Sequence, residues 1–304
     1  MSRYFTSRYP IIEAAMNGVS DLPLALACWD AGIFPNLFLQ DLSEESVYTT
    51  LSEFVKITKS SELIFCIPIS AVLHNRKIDL IKQLKSFNVS HIEVLPSKTI
   101  TEKINPKIVT AIYSIMHPMK VMRRATSLLD ESMIFNNVTY CLKGSDAAGM
   151  NNGNLTTKEF FSQQKLNTPN VNLIPYGGIG TPKQVADYIN AGAIGVAVGT
   201  LLAASKESPL STDAKLALVS STTDNITKFA DTGQNALILG DQNSVLEDLG
   251  DWNRSTSLRT GLTGNGKEGH VYAGTGINYI TDILPVKEIV RYLVSELSFP
   301  NPLS

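Results

Sequence analysis

Asn172-Leu173-Ile174-Pro175-Tyr176-Gly177-Gly178-Ile179-Gly180-Thr181-Pro182, continued by Ile194-Gly195-Val196-Ala197-Val198-Gly199-Thr200, is the stretch that decides the fold. Asn172–Tyr176 reads as a strand ended by glycines. Thr181 then offers an N-cap oxygen, and Pro182 suits the first helical position because its missing N–H is not needed there. The segment Lys183–Asn190 buries Val185, Ala186 and Ile189, and Gly192 supplies the stop. A second strand, Gly195–Val198, ends at Gly199-Thr200 and passes directly into a helix, Leu201–Ser205. Strand, helix, strand, helix at this spacing implies parallel pairing through right-handed crossovers.

The same punctuation recurs toward the N-terminus. Strands are expected at Ile11–Met16, Ile33–Leu37, Leu63–Ile69, His91–Leu95, Ile108–Tyr113 and Val138–Leu142. Helices are expected between them at Leu22–Ala31, Glu44–Ile57 and Ile78–Phe87. Several strands are apolar at consecutive positions, as strands covered on both faces are. Eight such units predict a parallel (β/α)8 TIM barrel over residues 1–205. Residues 206–270 are rich in Ser, Thr, Asp, Asn and Gly and read as a lid-like excursion over the barrel mouth, with some helix at Ser211–Lys228. Residues 271–304 then close the same domain, ending in an amphipathic helix, Val286–Leu297.

With 304 residues, 43% of them hydrophobic, the chain buries a sizeable core without staples. A net charge of −2 provides no basic field for nucleic acid, and Lys120-Val121-Met122-Arg123-Arg124 reads as a solvated helix face. Cys28, Cys66 and Cys141 each sit among apolar neighbours, a pattern of reduced, buried thiols rather than a metal site or disulfide framework. The longest apolar run, Ile64 to Leu73, is broken by Pro68 and too short to span a bilayer. Met1-Ser2-Arg3-Tyr4-Phe5 lacks the pattern of a signal peptide. A cytoplasmic protein is expected, with no metal, no membrane and no nucleic-acid partner.

In barrels of this type a phosphate sits at the loops after the seventh and eighth strands. Gly177-Gly178 and Gly199-Thr200 lie 22 positions apart (177 to 199), one βαβ step, and each pair opens a helix. Glycine lets the backbone approach an anion closely, and free N–H groups at a helix start face it. Turn chemistry alone explains one such pair; two in register point to a phosphate.

Four ordered segments resemble the nitronate monooxygenase family, which includes FMN-dependent enoyl-acyl-carrier-protein reductases. They are Pro10-Ile11-Ile12-Glu13-Ala14-Ala15-Met16-Asn17-Gly18, Lys143-Gly144-Ser145-Asp146-Ala147-Ala148-Gly149-Met150, the run from Leu173 to Thr200, and Val271-Tyr272-Ala273-Gly274-Thr275-Gly276. The resemblance implies FMN at the C-terminal mouth of the barrel. Ala15, Met16, Asn17 and Gly18 would then lie against the flavin ring. Ala148, Gly149, Gly177, Gly178, Gly199 and Thr200 would hold the phosphate, with Gly274 and Thr275 nearby. Lys143 would face the N1–C2 carbonyl edge and stabilise negative charge there.

The departures bear on chemistry. Met150 stands where the family usually has a histidine that moves protons, and a thioether cannot do so. Asp146 replaces a more common glutamate, Pro68 an asparagine that contacts the flavin, and Tyr176 a small residue, so that it narrows the pocket. His270, Asp146, Tyr176 and Tyr272 are the candidates for the missing proton carrier, with His117 behind them; His74 and His91 read as a loop and a strand-start residue. The leading expectation is oxidation of a nitronate or related carbanion by O2. Alternatives are an enoyl-thioester reductase using NAD(P)H, with an acyl carrier protein as partner, and a catalytically altered FMN-binding barrel acting as a partner subunit. A phosphate-handling barrel without flavin also fits the glycine pairs, but leaves the first and last segments unexplained. A small-molecule substrate is the default partner, and a homodimer is compatible with the sequence.

Overall fold

The strand-to-helix junctions are capped as the side chains dictate. In the computed structural model, Asp21 accepts from Leu24 N, Ser43 from Ser46 N and Thr181 from Gln184 N, each at a helix start. Thr156 and Glu159, like Thr181 and Gln184, form reciprocal capping boxes. The structure describes residues 4–39, 42–69, 78–95, 113–135, 137–149, 153–229, 233–239, 254–264 and 268–297.

Eight parallel strands run in the order β1-β8-β7-β6-β5-β4-β3-β2. They are β1 (Ile11–Glu13), β2 (Asn36–Leu37), β3 (Ile64–Pro68), β4 (His91–Leu95), β5 (Lys120–Ala125), β6 (Val138–Lys143), β7 (Leu173–Tyr176) and β8 (Val196–Val198). The ring closes between β1 and the residues before β2, where Ile12 bridges Phe34 and the bonds Glu13 N→Phe34 O and Phe34 N→Ile11 O are both 2.9 Å. The helices between strands include α1 (Leu22–Asp30), α2 (Glu44–Thr58), α3 (Ile78–Ser86), α4 (Thr157–Asn167), α5 (Pro182–Asn190) and α6 (Thr200–Ala203). This is the expected (β/α)8 barrel.

Alternation along the strands separates two cores. Ile12, Phe34, Ile64, Met122, Cys141, Ile174 and Ala197 meet inside the barrel, while Ile11, Val196 and Val198 pack outward with α1 and α5 residues. At the barrel's N-terminal end, Phe5 and His91 close the interior against Phe34, with ring centroids 4.9 Å (Phe5–Phe34) and 4.8 Å (Phe34–His91) apart. Burial there, with Lys120 adding to it, drives the His91 imidazole down to about 3 and keeps it neutral, so this histidine is a packing residue.

The fifth strand corrects the sequence reading. Ile108–Tyr113 was the expected strand; residues 108–112 lie outside the described set, and Tyr113 belongs to a helical turn. The strand is Lys120–Ala125, paired with β4 and β6. Its charges resemble a surface face, but alternation sends Met122 and Arg124 inward, and Arg124 is 9% exposed. The cluster is therefore no basic rim.

After the barrel come α7 (Thr212–Ser220), a three-stranded antiparallel sheet of β9 (Ile226–Lys228), β10 (Asn235–Ile238) and β11 (His270–Tyr272), and α8 (Arg254–Thr263). The last helix, α9 (Val286–Leu293), lays Val286, Ile289, Val290 and Leu293 into the core shared with α1. Among the described residues no helix is long and apolar enough to cross a membrane.

Candidate functional site

The C-terminal ends of the strands enclose a cavity of about 240 Å³. One wall is the turn after β1. Ser20 Oγ donates to Ala14 O at 3.0 Å and accepts from Met16 N at 3.1 Å, fixing the Ala14–Asn17 backbone along the cavity. Gly18 has φ +73° and turns the chain away behind that wall.

The opposite wall follows β6. Lys143 ends the strand with its side chain in the cavity, and Ala147, Ala148 and Gly149 continue the lining. The loop is tied from three sides. Asn235 of β10 donates its side-chain amide to Ser145 O and Ala147 O, both at 2.8 Å. Thr275 N donates to Asp146 O at 2.9 Å. The Asp146 carboxylate accepts from Thr157 N at 2.8 Å and Thr157 Oγ1 at 2.5 Å, at the start of α4.

Gly177 and Gly178 form the end of β7, with φ +108° and +71°, a backbone region that only glycine enters freely. A Cβ at Gly177 would overlap Ala147, and one at Gly178 would overlap the Asp146 carboxylate. Gln184 braces this turn, accepting from Gly180 N at 2.8 Å and donating to Gly178 O at 3.1 Å. Gly199 and Thr200 line the cavity at the start of α6, and Thr200 Oγ1 accepts from Gly274 N at 3.2 Å. The expected cradle residues thus converge, with Gly274 and Thr275 packed behind them rather than in the lining.

The cavity floor holds a polar chain that crosses the barrel interior. Asn36 Nδ2 donates to Glu93 Oε2 at 3.0 Å. Arg124 Nε and Nη2 donate to Glu93 Oε1 at 3.0 and 2.6 Å, and Nη2 also reaches the Tyr176 hydroxyl at 2.7 Å. That hydroxyl accepts in turn from Ala15 N. Burial opposes charge on Arg124, but the Glu93 carboxylate outweighs it and holds the guanidinium above its ordinary range. Burial, then the Arg124 charge, push the Lys143 ammonium well below the ordinary lysine range. The Tyr176 phenol moves well up because burial outweighs Arg124, so it stays protonated.

Of the expected catalytic residues, Lys143, Tyr176 and Tyr272 line the cavity, whereas Asp146 and His270 do not. Asp146 spends its carboxylate on Thr157 and braces the β6 loop. His270 is buried between Phe229 and Tyr272, its Nδ1 3.0 Å from Ser257 Oγ, outside the lining. His117 is exposed on the turn before β5, and Met150 and His74 lie outside the described residues. Arg124 and Glu93 were missed. The one available signal was a pair of opposite charges on successive strands whose neighbours are apolar; nothing local says that they meet. Among the described residues no three His, Cys, Asp or Glu side chains are grouped as for a metal ion.

The family model described as nitronate monooxygenase matches residues 36–296. No curated protein matches by sequence. Among solved structures, FabK from Thermotoga maritima superposes with TM-score 0.77 at 20% identity, covering 95% of this chain and 93% of its own. A nitroalkane oxidase from Streptomyces ansochromogenes gives 0.69 at 16% identity, covering 96% of each chain. The enoyl reductase domain of MlnA from Bacillus amyloliquefaciens gives 0.70 at 12% identity, over 96% of this chain and 94% of that one. At these identities the structural likeness is one of fold.

Proposed function

The chain belongs to the nitronate monooxygenase family, an oxidoreductase family, and from that premise we propose that it is an FMN-dependent oxidoreductase acting on a nitronate or related carbanion with O2. The observation that carries this reading is the cradle at the cavity mouth. At Gly177 and Gly178 even a methyl group would collide with the β6 loop, so the two turns approach as closely as backbone can. Such a cradle, beside the start of α6 at Thr200, suits the phosphate of a flavin nucleotide. Ala15, Met16 and Asn17 line one wall, against which the ring would lie, and Lys143 lines the same cavity.

Bound FMN would supply an electron acceptor able to pass electrons on to O2. The chain's own part is binding and electrostatics. The glycine turns and Thr200 hold the phosphate end. Arg124 places positive charge on the floor, and Lys143, whose charge burial and Arg124 disfavour, takes up a proton more readily when negative charge develops on ring or substrate. Leu258, Leu262 and Tyr272 add apolar and aromatic surface to the lining from the segment after the barrel. Proton movement falls to Lys143, Tyr176 or Tyr272, the described lining side chains that exchange protons; no described histidine lines the cavity.

The test is an absorbance spectrum of the purified protein, then anaerobic additions of an alkyl nitronate, NADH and NADPH. Flavin bands altered by nitronate alone support the proposal. Bleaching by a nicotinamide would transfer it to the enoyl-thioester reductase reading. No flavin bound after FMN is added would overturn both.

A further inference from the structure

The protonation of Lys143 follows from what surrounds it. Its side chain ends β6 with 6% exposure and lines the cavity. Pairing with β5 sets Cys141 opposite Arg124, so Lys143 is the next inward residue of β6 above that rung. Pairing with β7 sets it beside Tyr176. No nearby carboxylate is left for an ammonium here: Glu93 on β4 is bonded by Arg124 and Asn36, and Asp146 by Thr157. The other titratable groups around it are Cys66 on β3, Tyr176 on β7 and Tyr272 on β11. Burial keeps the thiol and the Tyr176 phenol protonated, and a methyl group at Gly149 would stand 3.6 Å from Lys143 Nζ and 3.7 Å from the Tyr272 ring. Among the described residues Nζ makes no hydrogen bond or ion pair.

An ammonium withdrawn from water, beside a guanidinium and without an anion, gives up its proton. Burial and Arg124 accordingly hold Lys143 well below the ordinary lysine range. A desolvated amine next to a fixed cation keeps a free lone pair at neutral pH and is a nucleophile. Met16, Phe38, Leu95 and Leu258 make much of the lining apolar, which suits a small uncharged partner. Arg124 stays charged through Glu93 and places positive charge where a carbonyl oxygen would turn negative under attack.

We propose that Lys143 condenses with a small apolar aldehyde or ketone to form an imine in the cavity. The Nζ lone pair bonds to the carbonyl carbon while the C=O π pair moves to oxygen. One N–H proton passes to that oxygen, giving a carbinolamine. The C–O bond then breaks, the second N–H proton leaves with the oxygen as water, and the nitrogen pair closes the C=N bond. Nothing is oxidised or reduced. This activity goes beyond the flavin chemistry proposed above and does not rest on it.

The test is borohydride trapping on the full chain loaded with FMN and on the same chain freed of flavin. Each is incubated with propanal at pH 7; borohydride then reduces any imine to a stable secondary amine, and the peptides are read by mass spectrometry. Lys143 should carry the propyl group at least about tenfold more often than Lys82 and Lys183, one pKa unit being tenfold in free amine. Those surface ammoniums are held protonated by Asp79 and Asp187. From pH 6 to 10, labelling of Lys143 should level off before that of the surface lysines rises. No propyl group on Lys143, labelling there no greater than at the surface lysines, or labelling confined to the flavin-free chain each overturns the inference. A chain that takes up no FMN yet is labelled at Lys143 would sink the proposed function and leave this activity standing.

Discussion

Glu13 should make the protein progressively less stable as pH rises from 5 to 9. Its carboxyl is fully buried between β1 and α1; one oxygen accepts from Asn36 N at 3.1 Å and the other has no partner among the described residues. Burial raises it from the ordinary 4.5 to about 8, against smaller opposing contributions from Ser20, the Asn36 backbone and Cys28. In the unfolded chain it ionises near the ordinary value. Stability from this group is therefore complete below that value and is lost as pH climbs through about 8. At about 1.4 kcal/mol per pH unit, the loss totals about 5 kcal/mol. Glu13→Gln imitates the protonated acid, keeps an acceptor for Asn36 N and cannot ionise. Urea unfolding at pH 5, 7 and 9 should show the variant within about 1 kcal/mol of the parent at pH 5 and about 5 kcal/mol more stable at pH 9. With a urea slope of about 3 kcal/mol/M, that is a midpoint shift of about 1.7 M. Parallel pH curves for the two proteins would refute the reasoning, because they would mean that the folded carboxyl ionises as freely as the unfolded one.

Other substitutions probe the site. Gly177→Ala places a methyl group against Ala147 at φ +108°; flavin retention on gel filtration should be lost, with a stability cost of about 1–3 kcal/mol by thermal melt. Glu93→Leu leaves Arg124 buried without its partner and should cost about 3–5 kcal/mol in urea, more than Arg124 and Glu93 replaced together by apolar residues. Tyr176→Phe removes the oxygen that accepts from Arg124 and Ala15 N; stability should fall by about 1–3 kcal/mol, and the spectrum of bound flavin should shift as the Ala15 wall relaxes.

The unit from Leu173 to Thr200 was legible because its punctuation is local. Threonine caps, a proline at a first helical position and glycines at strand ends act within four residues of where they stand, and the structure starts α5 at Pro182 as those residues require. Strands came out shorter than their apolar runs: β1 stops at Glu13, since Ala14–Met16 turns under the control of Ser20. β5 was misread for a different reason. In Lys120-Val121-Met122-Arg123-Arg124-Ala125 the inward charge looks like a surface charge until Glu93, 31 residues earlier, supplies its partner. Burial of Arg124 is thus a property of the pair, invisible in either segment. The same holds for His270: its neighbours in sequence follow the family pattern, but pairing of β11 with β10 turns the ring toward Phe229 and Ser257.

The interlock at the top of the barrel constrains how this protein can diverge. Gly177 has room only because residue 147 is alanine, and Gly274 is pressed against the backbone of Asp146 and Ala148 in the same loop. A larger side chain at any of these positions is penalised while the others stand, so mutational routes through them require coordinated exchanges. Leu95, Phe38 and Thr126 line the same cavity without appearing in that interlock. Divergence toward new substrates has its least obstructed path there, with the cradle unchanged.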